Sequence, residues 1–374
     1  MKYACFIVFL FFGGTGIAGA GTESGGNSTY QTNVTLLPLV SYTPETSLMF
    51  GGLAMVQFKP PGSGIDTRSS RALLSGVYTL NRQVMFELTP SVILAEERWI
   101  FEGRYEYSFF PESYWGAGPE TRSRDEWDIE YRKFAFEQIA LRKFGDGWYS
   151  GPILRWDRLS DLEITGRSEQ SEMSAIEEVS PETVTVDIDE SLLPGIGWSL
   201  RKDHRNSMVT PTTGYYLEAT TLFHPDLLGS THSHSSWLLD ARYYHNLRDG
   251  KYSVLAVHAR SRFTSGDVPF QELSQLGGMK IMRGYYEGRF RDANAFQLQA
   301  EFRQHTWWRL GFTLFASAGE VWHRFEDVSA SNPKYTAGAG LRFDLNPDDT
   351  SNIRLDYGIG PHGGGFYITI GEAF

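Results

Sequence analysis

Strict alternation of apolar and polar residues over long runs is the feature that most constrains what this chain can fold into. The clearest run is FQLQAEFR, in which Phe296, Leu298, Ala300 and Phe302 alternate with Gln297, Gln299, Glu301 and Arg303. Successive side chains of a β-strand point to opposite faces, so this run predicts a strand with one apolar and one charged face.

Similar runs of about ten residues, separated by turn-forming residues, recur along the whole chain and predict sixteen strands. They are Val34–Tyr42, Leu48–Phe58, Arg71–Leu80, Val84–Leu94, Arg98–Phe109, Ile129–Phe144, Trp148–Leu159, Leu192–Lys202, Tyr215–Phe223, Ser235–Leu247, Lys251–Phe263, Ala293–His305, Trp308–Trp322, Tyr335–Leu345, Ile353–Ile359 and Gly365–Phe374.

The faces of these strands favour a barrel in a membrane over a soluble β-sandwich, which is the alternative. Aromatic residues make up 14% of the chain although its mean hydropathy is −0.32. A transmembrane barrel explains both values, because every second residue faces water and aromatic side chains mark the two interfaces. The prediction is one all-β, antiparallel transmembrane barrel of about 16 strands, with both ends on the periplasmic side.

The first residues are typical of a secretory signal peptide, predicted as Met1–Ala20. Lys2 precedes the apolar stretch Ala4–Phe12, and Ala18-Gly19-Ala20 forms a small-x-small cleavage site. A membrane anchor is the alternative, but the apolar stretch is shorter than the ~20 residues of a spanning helix. We expect residues 21–33 to form a short leader and residues 34–374 the barrel, in the outer membrane of a Gram-negative cell after export.

Charge and composition argue against several other functions. A net charge of −11 without a basic run does not favour nucleic-acid binding. The stretch Ser160–Ser191 is the most acidic, and it predicts either a divalent-cation site or a solvated external loop. The loop is preferred, because Asp-x-Asp-x-Asp-Gly spacing is absent. His232 and His234 could bind a metal, but two ligands without a third are more often incidental.

Sequence signatures of catalysis are absent, so we predict a protein that is not an enzyme and has no cofactor. There is no Gly-x-Ser-x-Gly and no His-Glu-x-x-His motif. The glycines of Gly363–Gly365 follow Pro361-His362 in a turn without a helix after it, which argues against a phosphate-binding loop. A hydrolase whose catalytic residues come from separate strands is the alternative.

Four stretches carry a family resemblance. The first is Pro38–Phe58, with the turn Tyr42–Thr46 and Gly51-Gly52, and the second is Gly197–Gly214, with the turn Asp203–Gly214. The third comprises the strands Ala337–Arg342 and Ile353–Tyr357 with the ending Gly371–Phe374. The fourth and most specific contains Gly277, Gly278, Arg283, Gly284, Tyr285, Gly288, Phe290 and Asp292. With these motifs the chain, from Val34 to Phe374, resembles the BamA/TamA-type family, the bacterial surface antigen barrels.

The resemblance implies that the Arg-Gly-Tyr loop folds into the barrel lumen between strands 11 and 12. Arg283 would pair there with carboxylates on strands 12 and 13. Glu301 supplies the first, but Ser317 stands where the family has the second, an aspartate. Since charge-assisted hydrogen bonds are about twice as strong as neutral ones, we expect the loop to be held less firmly. A structural anchor without a moving part is the alternative role for Arg283.

The C-terminal strand is predicted to place Phe366, Ile368, Ile370 and Phe374 on one face. A terminal aromatic residue on such a strand is typical of the signal that the outer-membrane assembly machinery recognises by strand addition. The simpler interpretation is a lipid-facing strand end, and the two are compatible.

The resemblance implies a role in outer-membrane protein insertion, assembly or translocation, with a seam between the first and last strands that opens. The alternative is a non-translocating barrel, either a small-solute channel or a plugged structural protein. Only residues 21–33 precede the barrel after the signal, so no periplasmic (POTRA) domain is expected. A periplasmic partner would replace it, and outer-membrane lipid and lipopolysaccharide would surround the barrel.

Overall fold

The structure is a computed structural model that describes residues 32–61, 63–64, 67–167, 190–208, 210–248, 252–328, 333–346 and 351–374. The predicted signal peptide and all but the last two residues of the predicted leader lie outside the described residues. Residues 168–189 of the acidic stretch also lie outside them, so neither interpretation of that stretch is tested.

Sixteen long strands in the described part of the chain form one closed antiparallel barrel, as predicted. They are β1 Asn33–Thr43, β2 Ser47–Phe58, β3 Ser70–Thr79, β4 Val84–Leu94, β5 Trp99–Phe109, β6 Trp127–Gly145, β7 Trp148–Arg167, β8 Ser191–Asp203, β9 Gly214–His224, β10 His234–Asn246, β11 Ser253–Gly266, β12 Asn294–Trp307, β13 Leu310–Trp322, β14 Lys334–Asn346, β15 Ser351–Gly360 and β16 Gly363–Ile370.

Each strand pairs with its neighbours in sequence, and β1 also contacts β16. Because the strand number is even, both ends of the barrel domain lie at one end of the cylinder, here called the termini end. The opposite end is called the loop end. It carries the long connections from β5 to β6 and from β11 to β12.

Short strands and single helical turns lie in the connections at the loop end. The strand Glu112–Tyr114 pairs with β6, and Ser274–Leu276 pairs with Phe290–Asp292 in a small separate hairpin. Single turns of 3₁₀-helix occur at Ser123–Asp125, Asp226–Leu228, Phe270–Glu272 and Phe325–Asp327. Within the described ranges, no helix is long and apolar enough to cross a membrane.

The two faces of the strands differ as the alternation predicts. On β15 the side chain of Asp356 is fully buried, whereas that of its neighbour Tyr357 is 53% exposed. Leu298 of β12 and Leu341 of β14 are likewise exposed on the outside. An apolar outer face suits hydrocarbon, where a mid-bilayer charge would cost ~2–4 kcal/mol.

Two predicted strand ends were wrong. β7 does not end at Leu159, because its ladder with β6 continues through Ile164 to Arg167. Its extension carries Asp161, which pairs with Arg132 of β6. At the C-terminus, β16 ends at Ile370 rather than Phe374, because the chain turns away at Gly371.

Candidate functional site

The most deeply buried cation of the described chain lies in the segment that links β11 to β12. Residues 277–292 are here called the arginine segment. Arg283 is completely buried, and its two terminal nitrogens donate to Glu301 of β12 and to Asp356 of β15. Its guanidinium also lies over the ring of Phe315, 3.7 Å from the centroid. A planar, forked cation can bridge two carboxylates on separate strands in this way.

These contacts belong to a closed ring of alternating charges, here called the buried charge ring. From Glu301 it continues through Arg303 (2.9 Å), Glu372 (3.7 Å), Arg342 (3.0 Å) and Asp356 (2.6 Å) back to Arg283. The side chains of the ring are at most 5% exposed. Removing one partner of such a buried pair typically costs ~3–5 kcal/mol, since it leaves an uncompensated charge.

The second acidic residue that contacts Arg283 is Asp356, so the expectation that this partner comes from the position of Ser317 was wrong. The hydroxyl of Ser317 donates to Gln299 Oε1 at 2.8 Å instead of serving Arg283. The second carboxylate at Arg283 comes from β15, two strands further on than strand 13. The missing aspartate on strand 13 is therefore replaced by a carboxylate from another strand, and the expected weakening of the loop's attachment does not follow.

The polar face of β12 also fastens the backbone of the arginine segment. Gln299 donates from Nε2 to the carbonyl of Lys280 at 3.0 Å and accepts from the amide of Met282 at 3.2 Å. From β15, Arg354 donates to the carbonyl of Met279 at 3.1 Å. A buried backbone group without a hydrogen bond costs free energy, and these backbone groups are not part of a strand ladder. The side chains of β12 and β15 provide their hydrogen-bond partners instead.

Gly284 lies against β15 so closely that a side chain would not fit. A Cβ at Gly284 would be 2.8 Å from the amide nitrogen of Ile359 and 2.9 Å from the carbonyl carbon of Gly358. Its φ of +115° is also a conformation that favours glycine. The amide of Gly284 donates to the hydroxyl of Tyr367 of β16 at 2.9 Å. The segment thus contacts both of the last two strands.

The other residues of the predicted motif surround this contact. Tyr285 is buried with Phe290 in one apolar cluster, and its hydroxyl donates to the carbonyl of Tyr335 at 3.1 Å. Asp292 accepts from the amide of Ala293 at 2.7 Å. Gly277, Gly278 and Gly288 lie in the turns of the segment.

A neighbouring loop covers the arginine segment at the loop end. Arg291 pairs with Glu112 at 2.7 Å, and the amide of Gly118 donates to the carbonyl of Arg291 at 2.7 Å. Arg289 donates to the hydroxyl and the carbonyl of Thr121, both at 2.9 Å. The connection between β5 and β6 and the arginine segment therefore form one packed cap.

An acidic cavity of about 360 Å³ lies between the arginine segment and β1–β7. Glu45 and Glu287 both line it, and the amide of Glu287 donates to Glu45 Oε1 at 2.7 Å. Burial and the negative charge of Glu45 raise the pKa of the Glu287 carboxyl.

The two histidines singled out in the sequence do not share a ligand geometry. His234 stacks on His224, with ring centroids 4.4 Å apart, whereas Nδ1 of His232 lies 2.8 Å from Asp267. Across the described ranges, no three His, Cys, Asp or Glu side chains are grouped so that they could hold a metal ion.

The seam between β1 and β16 is short. β1 pairs with β2 at every residue from Asn33 to Thr43, but its register with β16 consists of Tyr42 with Ile368. The hydroxyl of Ser41 adds a bond of 2.6 Å to the carbonyl of Ile368. Among the described strands, none pairs with the seam edge of β1 over residues 33–40.

The C-terminal tail explains why the seam is short. Gly371 has a φ of +84°, which bends residues 371–374 away from the line of β16. Glu372 joins the buried charge ring, and the ring of Phe374 lies 4.9 Å from that of His258 on β11.

The expected common face of Phe366, Ile368, Ile370 and Phe374 is therefore wrong at its last member. Ile370 is 54% exposed on the outside, whereas Phe374 is 8% exposed and packs inward. The left-handed turn at Gly371 breaks the alternation on which the expectation rested.

Comparison with known structures shows the same architecture. The crystal structure of BamA from Haemophilus ducreyi lacking POTRA domains 1–3 is similar with a TM-score of 0.60 and 13% identity, over 91% of this chain and 70% of that one. CdiB from Acinetobacter baumannii gives a TM-score of 0.53 and 10% identity, over 92% of this chain and 65% of that one. At such identities the likeness concerns the fold alone.

A family model gives the stronger assignment. The Omp85 superfamily domain matches residues 159–374, which is more than half of the chain. No curated protein sequence matches. The matched range contains the arginine segment, the buried charge ring and the C-terminal tail. On this match the chain belongs to the Omp85 superfamily, whose barrel fold implies a protein of the Gram-negative outer membrane.

Proposed function

We propose that this protein inserts other polypeptides into the outer membrane, or translocates them across it, through the seam between β1 and β16. The observation that carries the proposal is the unpaired edge of β1. Its residues 33–40 pair with β2 but have no partner on the seam side, whereas Tyr42 is paired on both sides.

Such an edge is unusual inside a membrane. Unsatisfied backbone groups in hydrocarbon cost several kcal/mol each, which is why membrane barrels close their ladders. An exposed strand edge is also a template to which an extended peptide can add by main-chain hydrogen bonds. A client strand that pairs with β1 would remove the cost, and this supports a seam that works as a docking site.

We further infer that the arginine segment lies in the lumen and supports the wall on the β16 side of the seam. Its contacts with Glu301 and Asp356, on the inward faces of β12 and β15, support this placement. The buried charge ring joins the segment to Glu372 of the tail. The segment and the last strand therefore act as one mechanical unit, and the closed wall stays intact when β1 separates.

A small-solute channel is the second candidate function, and the arginine segment argues against it. A segment that fills the bore, under a cap made by residues 110–126, leaves little room for a continuous water path. We also propose a non-enzymatic role, because the buried carboxylates of the ring are paired with arginines rather than left free to transfer protons.

We infer the partners of this protein from its family and from its location in the outer membrane. Members of this family work with lipids and with the outer-membrane assembly machinery, and we expect this protein to need that machinery for its own insertion. This chain spans 65% of the length of CdiB. We propose that a separate periplasmic protein delivers clients to the termini end, and that lipopolysaccharide contacts the loop end.

The test locks the seam. Tyr42→Cys and Ile368→Cys replace two residues that lie opposite each other across it, and the native Cys5 falls in the predicted signal peptide. Proteoliposomes containing the variant are mixed with a urea-unfolded eight-stranded outer-membrane barrel, whose folding is followed by its shifted gel mobility. We expect the disulfide to abolish the acceleration of client folding, and a reductant to restore it.

The matched control places the same cysteine pair where no opening is proposed. Ala54→Cys and Leu74→Cys join β2 to β3, within a complete ladder. This disulfide should leave the acceleration unchanged. Equal activity of the oxidised and reduced seam variant would contradict the proposal.

A further inference from the structure

The inner wall formed by β1–β4 is rich in apolar side chains, unlike the inner wall on the opposite side. Register places Leu37, Leu53 and Ser75 in one lumen-facing row, which continues to Glu87 of β4. One neighbouring row adds Leu39, Val77 and Met85, with Gly51 among them, and the other adds Met55 and Leu73, with Thr35 and Thr89 at its two ends. The lumen-facing row of the opposite wall reads Glu218, Asp240, Arg260 and Gln297.

This apolar wall, here called the methionine wall, is accessible rather than packed. Leu37 is 46% exposed, and Leu53, Met55 and Leu73 are only partly buried, whereas Val77 is buried. The lumen of a membrane barrel is ordinarily polar, and a contiguous exposed apolar surface commonly marks a binding site. Flexible methionine side chains suit a partner without a fixed shape.

The methionine wall continues directly into the membrane. It ends at β1, whose seam edge is unpaired over residues 33–40. The two faces of β1 are both apolar there, with Leu36 outside and Leu37 inside. An acyl chain that passes around β1 therefore meets apolar side chains on both faces of the strand, with the unpaired backbone groups of its edge between them.

The length and ends of the wall fit one lipid chain. Met49, which has the same parity as Met55 on β2 and lines the acidic cavity, is the last lumen-facing apolar residue of this strand; the two lie six positions apart, which is ~20 Å along a strand. One leaflet of hydrocarbon is about 15 Å thick, half of the ~30 Å core. At the termini end the next row contains Arg71, whose side chain has no hydrogen bond or ion pair with another described residue. A cation at this height suits a phosphate headgroup.

We propose that the methionine wall binds an acyl chain of a membrane phospholipid, which enters the lumen beside the unpaired edge of β1. A client strand fits this wall less well. A transmembrane β-strand that pairs with β1 turns its polar face to the lumen. That face would meet leucine and methionine, whereas an acyl chain has no polar face.

The test uses a phospholipid probe with a photoreactive diazirine in its acyl chain. The full chain is reconstituted in vesicles of phosphatidylethanolamine and phosphatidylglycerol that contain the probe, irradiated, and mapped by mass spectrometry. We expect labelling of lumen-facing Met55 as well as of lipid-facing Leu74 and Phe50. Labelling confined to the lipid-facing residues would overturn the proposal.

Variants separate binding from folding. Leu53→Asn with Leu73→Asn should lower the labelling of Met55 by about tenfold, because two apolar contacts with the chain are lost. Leu53→Met with Leu73→Met should retain it. Arg260→Asn, on the opposite wall, should not change it. The shifted gel mobility of the folded barrel confirms that each variant has folded, and unchanged Met55 labelling in the asparagine variant would contradict the proposal.

A second probe tests whether a polypeptide occupies the site instead of a lipid. A benzoylphenylalanine at position 53 should crosslink lipid, and capture of a polypeptide in its place would overturn the proposal.

The lipid site is distinct from the proposed insertion function, and the two can fail separately. If the seam lock stops client folding but the probe does not label the lumen, the lipid site alone is rejected. Lumen labelling without such sensitivity would reject the insertion function alone.

Discussion

Arg283 closes the buried charge ring, because its two terminal nitrogens reach carboxylates on two different strands. A cation in this position costs a large desolvation free energy, which only close pairing can offset. Its contact with Phe315 adds a cation–π interaction in a site without bulk water. The side chain is thus suited to fix a long connection against the barrel wall.

The first prediction concerns the charge of Arg283. Arg283→Ala leaves Glu301 and Asp356 without their shared partner and should lower the free energy of unfolding by about 3–5 kcal/mol. Arg283→Lys keeps the charge but not the fork, and it should lie between the alanine variant and the native protein. Urea unfolding in vesicles, followed by gel mobility, measures both. Arg260→Ala, at a lumen-facing position outside the ring, is the control, and an equal loss in this variant would argue against the ring.

The second prediction compares the two positions that could have carried the second carboxylate. Asp356→Asn removes a charge that serves Arg283, Arg342 and Arg354, and it should destabilise by several kcal/mol. Ser317→Ala removes one neutral hydrogen bond and should cost about 1 kcal/mol. The same unfolding measurement ranks them, and the reverse order would mean that Ser317 holds the segment.

Sequence could predict part of this site. The parity of the alternation put Glu301 on the polar face of its strand and Asp356 on the polar face of another. It could not pair Asp356 with Arg283, because the two lie 73 residues apart and meet only when the segment folds back across the barrel. Phe374 was misplaced for a local reason, the backbone turn at Gly371, which period-2 arguments do not detect.

At the scale of elements, the last strand and the tail that follows it have different roles. All eight residues of β16 pair with β15, whereas residues 371–374 leave the sheet and Glu372 joins the buried charge ring. Asn352 fixes the departure, since it accepts from the amide of Gly371 and donates to Glu372. The seam is short because the residues that would extend it are held inside the barrel.

The third prediction tests this division. Continued register would place Ile370 opposite Val40, since Ile368 lies opposite Tyr42. A Val40→Cys/Ile370→Cys disulfide should form slowly in the otherwise native protein. It should form faster when Glu372→Gln and Phe374→Ala release the tail, because β16 can then extend along β1. Gel analysis after mild oxidation measures the rate. An unchanged rate would show that the tail does not control the seam.

At the scale of the whole molecule, the alternation predicted the number of strands, their order and most of their ends. A barrel is determined by such a pattern, because each strand must put its apolar face to the lipid. The connections carry no comparable period. The packing of the arginine segment against residues 110–126 and the unpaired edge of β1 depend on contacts between distant residues. The alternation did not predict them.

The fourth prediction concerns conduction. Our proposal that the arginine segment fills the bore predicts that single-channel recordings are nearly silent, with rare openings. Deletion of residues 278–288 should give a steady, larger conductance, provided that gel mobility confirms a folded barrel. A large steady conductance in the native protein would favour the small-solute channel.

The central claim, that β1 presents its free edge to client strands, is tested most directly by trapping that contact. A cysteine at Leu36, on the unpaired edge, is combined with single cysteines along the last strand of an eight-stranded client during its folding into proteoliposomes. We predict disulfides at one register of the client strand, and none with a control cysteine at Leu154 on β7. Client folding without a disulfide to Leu36→Cys, or equal crosslinking at Leu154→Cys, would contradict the account.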